Sequence, residues 1–325
     1  MTILVLAPQS DDHAPTVIEE LKARGHSVVS LSGDDFPRRD RVSMRLTPSG
    51  DELRVRHDGE TVDMADIDTV WRRRGEYPVV DKDALHPDDR KFAHEESTAV
   101  THGLRDVSEL EGTRWINPRA AAQRINNKPL QLSLARRAGL STADTLISND
   151  PDEIRAFYSS YDGQIIYKPL TPALFVEDGK ELATFVHILP REVVDSPDQL
   201  KLSPGIYQPF LSKVFELRVN IFGDRILATR IDNKDVEGGK VDWRTKVHLT
   251  PLSSFTLPEW LETTIHRFMT EAGLVFGAMD FIVTEEGEFV FLEVNEMGQF
   301  LWLDSLQDTS KHLHAMCDLL GQAAS

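Results

Sequence analysis

Residues 273–302 hold two apolar, strand-like runs interrupted by three acidic or amide residues, Asp280, Glu293 and Asn295. Ala278–Thr284 reads as one strand and Glu288–Asn295 as a second, with Glu285-Glu286-Gly287 as a hairpin turn between them. With Glu286-Gly287 as the loop, Glu285 faces Glu288 and Asp280 stands opposite Glu293. Asn295, two residues on, shares the face of Glu293. Period two returns at 215–220. Phe215, Leu217 and Val219 point one way and Glu216, Arg218 and Asn220 the other, before Gly223-Asp224 turns the chain into a strand Ile226–Ile231 that carries Arg230.

Elsewhere the patterning is mixed. A strand at Ile3–Ala7, a helix over Ala14–Arg24 closed by Gly25 and a strand at Ser27–Leu31 predict a small parallel sheet. Hairpin material at 42–64 precedes a strand Ile67–Trp71 that runs into Arg72-Arg73-Arg74, followed by a long helix over 87–110. The arginine run suits either a solvated strand end or a phosphate or peptide contact. Asn127 and Pro129 open a helix that Gly139 closes; a strand at 145–148 and a helix at 151–160 follow. The segment 170–205 is irregular, acidic and proline-punctuated. Trp260, Leu261, Ile265, Phe268 and Met269 form one stripe of a helix over 258–272. A last helix, from about Thr309 to Leu320, is expected to keep His312 and His314 at its surface.

Composition narrows the class. At 325 residues, 40% hydrophobic and 27% charged, the chain has material for two or three packed lobes. No apolar run approaches a membrane span and MTILVLAPQS has no basic leader, so neither membrane nor secretion is expected. The single cysteine, Cys317, excludes an internal disulfide and fits a reducing cytoplasm. A net charge of −17 argues against nucleic acid as a partner.

Candidate chemistry centres on the second hairpin. Two carboxylates brought together in an apolar setting repel unless a cation or proton lies between them. Asp280, Glu293 and Asn295 offer hard oxygen donors with no histidine or cysteine, the set expected for Mg²⁺, with Mn²⁺ as a substitute. Mg²⁺ held this way shares its shell with phosphate oxygens, so a nucleotide is implied. The chain lacks both GxGxxG and Walker loops. Lys168 at the end of an apolar strand and Lys128 at a helix start are each explicable by snorkelling.

Asp280, the step to Glu293 and Asn295 within FLEVN resemble the metal-binding strands of ATP-grasp ligases. The following MGQFLW, with VWRRR near Trp71 and VDWR near Trp243, is similar to a narrower group, the graspetide synthetases of the microviridin and plesiocin type. The resemblance spans nearly the whole chain. It implies an α/β (α+β) ATP-grasp fold: a pre-ATP-grasp domain at 1–115, a central lobe at 116–205 with a leader-binding insertion at about 170–205, and a C-terminal lobe at 206–325 with the metal site. It implies ATP and Mg²⁺ as cofactors, with Lys128 and Lys168 on the phosphates. Gln208 and the Pro209 carbonyl would accept from adenine, the Leu211 N–H would donate to it, and Glu216 would hold the ribose. Arg218 and Arg230 would serve the γ-phosphate and the reacting carboxylate. Glu177 and Asp178 would meet the leader of a ribosomal precursor peptide, residues 232–256 would form a mobile cover over the nucleotide, and the assembly would be a homodimer. The implied reaction is ATP-dependent closure of side-chain ester or amide rings. Ligation of small amino acids, as in glutamate ligases, and nucleotide binding without turnover are the alternatives; the long 170–205 segment speaks for a peptide and the complete acid–amide set for turnover.

Overall fold

The computed structural model describes residues 1–73, 78–81, 83–171, 174–177, 180–183, 186–232 and 250–322, the strands at 174–177 and 180–183 by backbone alone. Arg74, Asp178, Trp243, Arg244 and most of the expected cover lie outside the described residues.

The chain opens with β1 (Thr2–Leu6), α1 (Ala14–Ala23) and β2 (Ser27–Leu31), then β3 (Arg41–Thr47), β4 (Gly50–His57), β5 (Glu60–Asp63), β6 (Thr69–Arg72), α2 (Asp89–Leu110) and β7 (Arg114–Ile116). Strands β2-β1-β6-β7 make a parallel sheet and β3-β4-β5 an antiparallel one beside it. The βαβ start is as the pattern predicts, with Gly25 in a left-handed turn that only glycine adopts readily.

Next come α3 (Arg119–Ile125), α4 (Lys128–Ala138), β8 (Ser141–Thr142), β9 (Leu146–Ser148), α5 (Pro151–Ser160), β10 (Ile165–Lys168), β11 (Leu174–Glu177), β12 (Lys180–Ala183), β13 (His187–Ile188), α6 (Arg191–Val194), α7 (Pro197–Leu200) and β14 (Gly205–Pro209). The Asn127 side chain caps α4 by accepting from Leu130 N–H, and Gly139 ends the helix at positive φ. Strands β13-β10-β14-β9 form one sheet and β11-β12 a separate hairpin.

The last part holds β15 (Phe215–Phe222), β16 (Arg225–Ile231), β17 (Leu252–Phe255), α8 (Glu259–Ala272), β18 (Phe276–Val283), β19 (Phe289–Asn295), α9 (Leu301–Gln307) and α10 (Lys311–Leu320). A mixed sheet of order β17-β16-β15-β18-β19-β8 is its spine. One face buries Leu217, Val219, Ile221, Met279, Phe281 and Phe291 against α4 and α8. The apolar alternation of β15 therefore fixes which of its residues face the other way.

One surface expectation fails. His312 is buried, 4% exposed, while His314 is exposed as expected. The cause is Asp304 on α9, which accepts from the backbone N–H groups of His312 and Leu313, from His312 Nδ1 at 2.8 Å and from Thr309 Oγ1. Asp304 thus caps α10 from another helix. Burial alone would raise its carboxyl's pKa, but these donors outweigh burial and hold it below the ordinary value.

Candidate active site

Register brings the candidate residues into rungs across three strands. Arg218 faces Asp280, which faces Glu293; Asn220 faces Ala278, which faces Asn295. The turn is longer than the pattern suggested: Thr284 N–H donates to Glu288, leaving Glu285, Glu286 and Gly287 as a three-residue loop with Gly287 at φ +80°. That shifts the pairing by one, and an irregularity between Asp280 and Phe281, at Leu292 on the facing strand, shifts it back. The bulge also sends Phe291 and Val294 to the same core and turns Glu293 and Asn295 to the opposite face.

The row of charges is compensated within the chain. Arg218 Nη1 donates to both oxygens of Asp280, at 2.9 and 3.1 Å, and its Nη2 donates to Gln299 O at 3.1 Å. Both partners are nearly sealed, with side chains 7% and 4% exposed. At the far end Lys128 Nζ lies 3.9 Å from Glu293 Oε2 and donates to Pro169 O at 3.0 Å. The Lys128 ammonium is thus tied to the chain just after Lys168, at the end of β10. Carboxylates retain acceptor capacity beyond one cationic partner. Two such groups and an amide, all oxygen donors, one of them 25% exposed at Glu293, fit Mg²⁺.

A small apolar patch adjoins the row. Ala143, Ile282 and Val290 are buried together with Leu211 and Leu292 packed on them. Glu216 faces Ile282 and so stands at its border. Its Oε1 takes a 2.5 Å hydrogen bond from Lys213, a residue that sequence reasoning missed although it sits three positions earlier in the same polar break. On the other side Gln208 pairs in register with Ile166 and donates its Nε2 to Thr145 Oγ1 at 2.9 Å, keeping Oε1 as an acceptor. Pro209 ends β14 beside it. This apolar patch, with Leu211 packed on it and Glu216 at its border, is the kind of surface a purine base stacks on.

Arg230 does not join this group. It faces Leu217, so it projects from the core side of the sheet. Its Cζ lies 4.0 Å from the Phe215 ring centroid, and its Nε and Nη2 bond Asp232 at 2.8 and 2.6 Å. The hairpin of β15 and β16 sets this parity: Arg218 faces Thr229, and the next residue must point the other way.

The turn after β19 is held from the N-terminal sheet. Arg72 Nη2 bonds Glu296 at 3.2 Å; Arg73, buried, bonds Asp11 and Met297 O; His13 Nε2 accepts from the N–H groups of Phe300 and Leu301. Asn117 adds two donations and two acceptances to Phe276, Glu296 and Val275. Arg72 and Arg73 are thus turned into the molecule. The turn carries Gly298, where a Cβ would lie 2.3 Å from Ala278 Cβ and 3.0 Å from Arg218 Nη2, so only glycine permits this closeness to the row. Gly298 and Gln299 meet Arg218, while Phe300 lies in the core.

Residues 2–123 match the model of the MvdD pre-ATP grasp domain. An ATP-grasp ligase of Chryseobacterium gregarium, described as RiPP-associated and complexed with ADP and a leader and core peptide, superposes with TM-score 0.89 at 26% identity, covering 98% of this chain and 96% of that one. Residues 2–123 thus carry the pre-ATP-grasp pattern, and the chain as a whole is similar in fold to ATP-grasp ligases. The macrocyclase MdnB of Microcystis aeruginosa MRC is also similar, with TM-score 0.80, 27% identity and coverage of 98% and 99%. So is the ATP-grasp ligase PsnB, complexed with a minimal precursor, Mg and ADP, at TM-score 0.75, 25% identity and coverage of 98% and 96%. Curated protein sequences give no match. No helix of the described residues is long and apolar enough to cross a membrane.

Proposed function

We propose that the protein is an ATP-dependent macrocyclase that joins side chains of a ribosomal precursor peptide through ester or amide bonds. The observation that carries this is the single-face row Arg218–Asp280–Glu293, met by Lys128 from α4 and bordered by an apolar patch, in a chain similar over 98% of its length to a peptide-bound ATP-grasp ligase. An Asp or Glu carboxylate of the peptide attacks the γ-phosphorus of ATP and ADP leaves. A Thr or Ser hydroxyl, or a Lys amine, of the same peptide then attacks the acyl carbon and phosphate leaves. Mg²⁺ at Asp280, Glu293 and Asn295 would neutralise phosphate charge. Lys128 and Lys168 would steady the phosphates, Gln208, Pro209, Leu211 and Glu216 would place the nucleoside, and Arg218 would hold the acceptor carboxylate.

The acidic hairpin that includes Glu177 is proposed to meet the leader, and a homodimer is the expected assembly, testable by sedimentation. The deciding experiment incubates the protein with ATP, Mg²⁺ and peptides encoded beside its gene. Loss of one water per bond, read by mass, supports macrocyclisation; addition of free amino acids would replace it with a small-ligase role.

A further inference from the structure

Two unpartnered polar groups lie next to the row on its own sheet face. Asn220 is 0% exposed, and neither its Oδ1 nor its Nδ2 has a hydrogen-bond partner among the described residues. Arg218 Nε is likewise buried and unpartnered. Buried polar atoms are nearly always paired, so an amide with both ends open asks for a reason. Its position sharpens the question. Asn220 faces Ala278 on one side and Leu227 on the other, and the next same-face residue, Phe222, already belongs to the aromatic core with Phe276 and Phe300. An aliphatic side chain here would simply extend that core.

Asn220 is instead the neighbour of Arg218 on the same strand face, about 7 Å along the backbone. The other arms of that guanidinium are assigned: Nη1 to Asp280 and Nη2 to Gln299 O. The turn holding Gln299 closes on Ala278, the very rung that Asn220 occupies. Among the described residues the Nε arm has no anchor, and Asn220 Oδ1, next on the same strand face, is an open acceptor.

We propose that Asn220 is a positioning residue for Arg218. Its Oδ1 accepts the Nε–H, directly or through one water, when the guanidinium turns its Nη edge from Asp280 to the acceptor carboxylate of the peptide. The inference rests on the carboxylate-holding role given to Arg218 above. A guanidinium is planar, so fixing Nε fixes the plane in which its paired donors meet a carboxylate. Without Asn220 the charge remains and the plane is lost, which slows the reaction more than it weakens binding.

The test compares Asn220→Leu, which removes the acceptor at similar volume, with Asn220→Asp, which keeps an oxygen in place. Three readouts are taken: melting temperature, kcat and KM for the peptide, and the Arg218 Nε–H resonance in ¹⁵N spectra of the peptide-bound protein, assigned with Arg218→Lys. The expected result is a folded Asn220→Leu protein, as stable as the parent or more so, with kcat down on the order of 10²-fold, ATP affinity kept, and a shifted, fast-exchanging Nε–H. Asn220→Asp should recover most of the rate and the slow exchange. Parent-like kcat and Nε–H in Asn220→Leu would overturn the proposal, as would equal losses of rate and stability in both variants. Should Asn220→Leu not fold, Asn220→Ala against Asn220→Asp gives the same contrast. If the parent cyclises no peptide, the proposed function fails, and the Nε–H signal still decides the contact.

Discussion

Arg218 grips both oxygens of Asp280 from the directly opposite rung of the β15–β18 ladder. Removing one partner of a sealed ion pair leaves the other buried and uncompensated, at a cost of about 3–5 kcal/mol. Asp280→Asn is therefore expected to lower the melting temperature visibly as well as to stop ring formation; calorimetry beside a mass-based turnover assay reads both. An unchanged melting point would mean that the pair opens in solution.

Glu293→Gln should behave differently. Its side chain is 25% exposed and its ion pair with Lys128 is long, so the stability loss should stay under about 1 kcal/mol. Turnover should nonetheless vanish, because a charge is lost from the Mg²⁺ shell. Parent-like cyclisation by this folded variant would remove Glu293 from the metal site.

Arg218→Lys keeps a charge near Asp280 but not the paired geometry. Turnover is expected to fall ~10²–10³-fold while ATP affinity, measured by titration, holds. Equal loss in both would indicate a nucleotide contact.

Arg230→Gln provides the contrast. Stacked on Phe215 and bonded to Asp232 on the core face, Arg230 is predicted to leave single-turnover ring formation within about threefold of the parent, with a stability change under about 1 kcal/mol. A large rate loss would return it to the catalytic set.

Stability should also carry a pH signature far from the site. His57 Nδ1 lies 2.7 Å from Asp40, and that hydrogen bond holds the imidazole pKa above its ordinary value against a smaller opposing effect of burial. A raised folded-state pKa stabilises fully below the unfolded value, near 6.5, and the contribution fades as pH rises through the folded one. The melting-point advantage of the parent over His57→Gln should be largest in mild acid and shrink above neutrality. A gap that widens with pH would refute the sign.

Strand alternation made much of this site readable in advance. A two-residue turn predicts the facing of Asp280 and Glu293; the molecule uses a three-residue turn and a bulge at Leu292, and the two one-residue shifts cancel. The sequence carries no marker for such a bulge. Arg230 is different: the short turn at Gly223-Asp224 already sets it opposite Leu217, and a role implied by resemblance overrode that parity. His312 was unreadable because its partner, Asp304, lies on a helix that no periodicity announced. Arg73 was unreadable for a similar reason, since Asp11 and Met297 meet it only in the folded chain.

The contacts around the turn after β19 also bear on synthesis. Arg73 finds Asp11 within the N-terminal sheet, but Arg72 and His13 need Glu296, Phe300 and Leu301. On the ribosome the first sheet can form early, yet the contacts of these two side chains with the turn must wait until almost the whole chain has emerged. The carbonyl of Gln299 that steadies Arg218 is set only then, so a nascent chain stopped short of residue 301 would carry the β18–β19 hairpin without the turn that closes over Arg218.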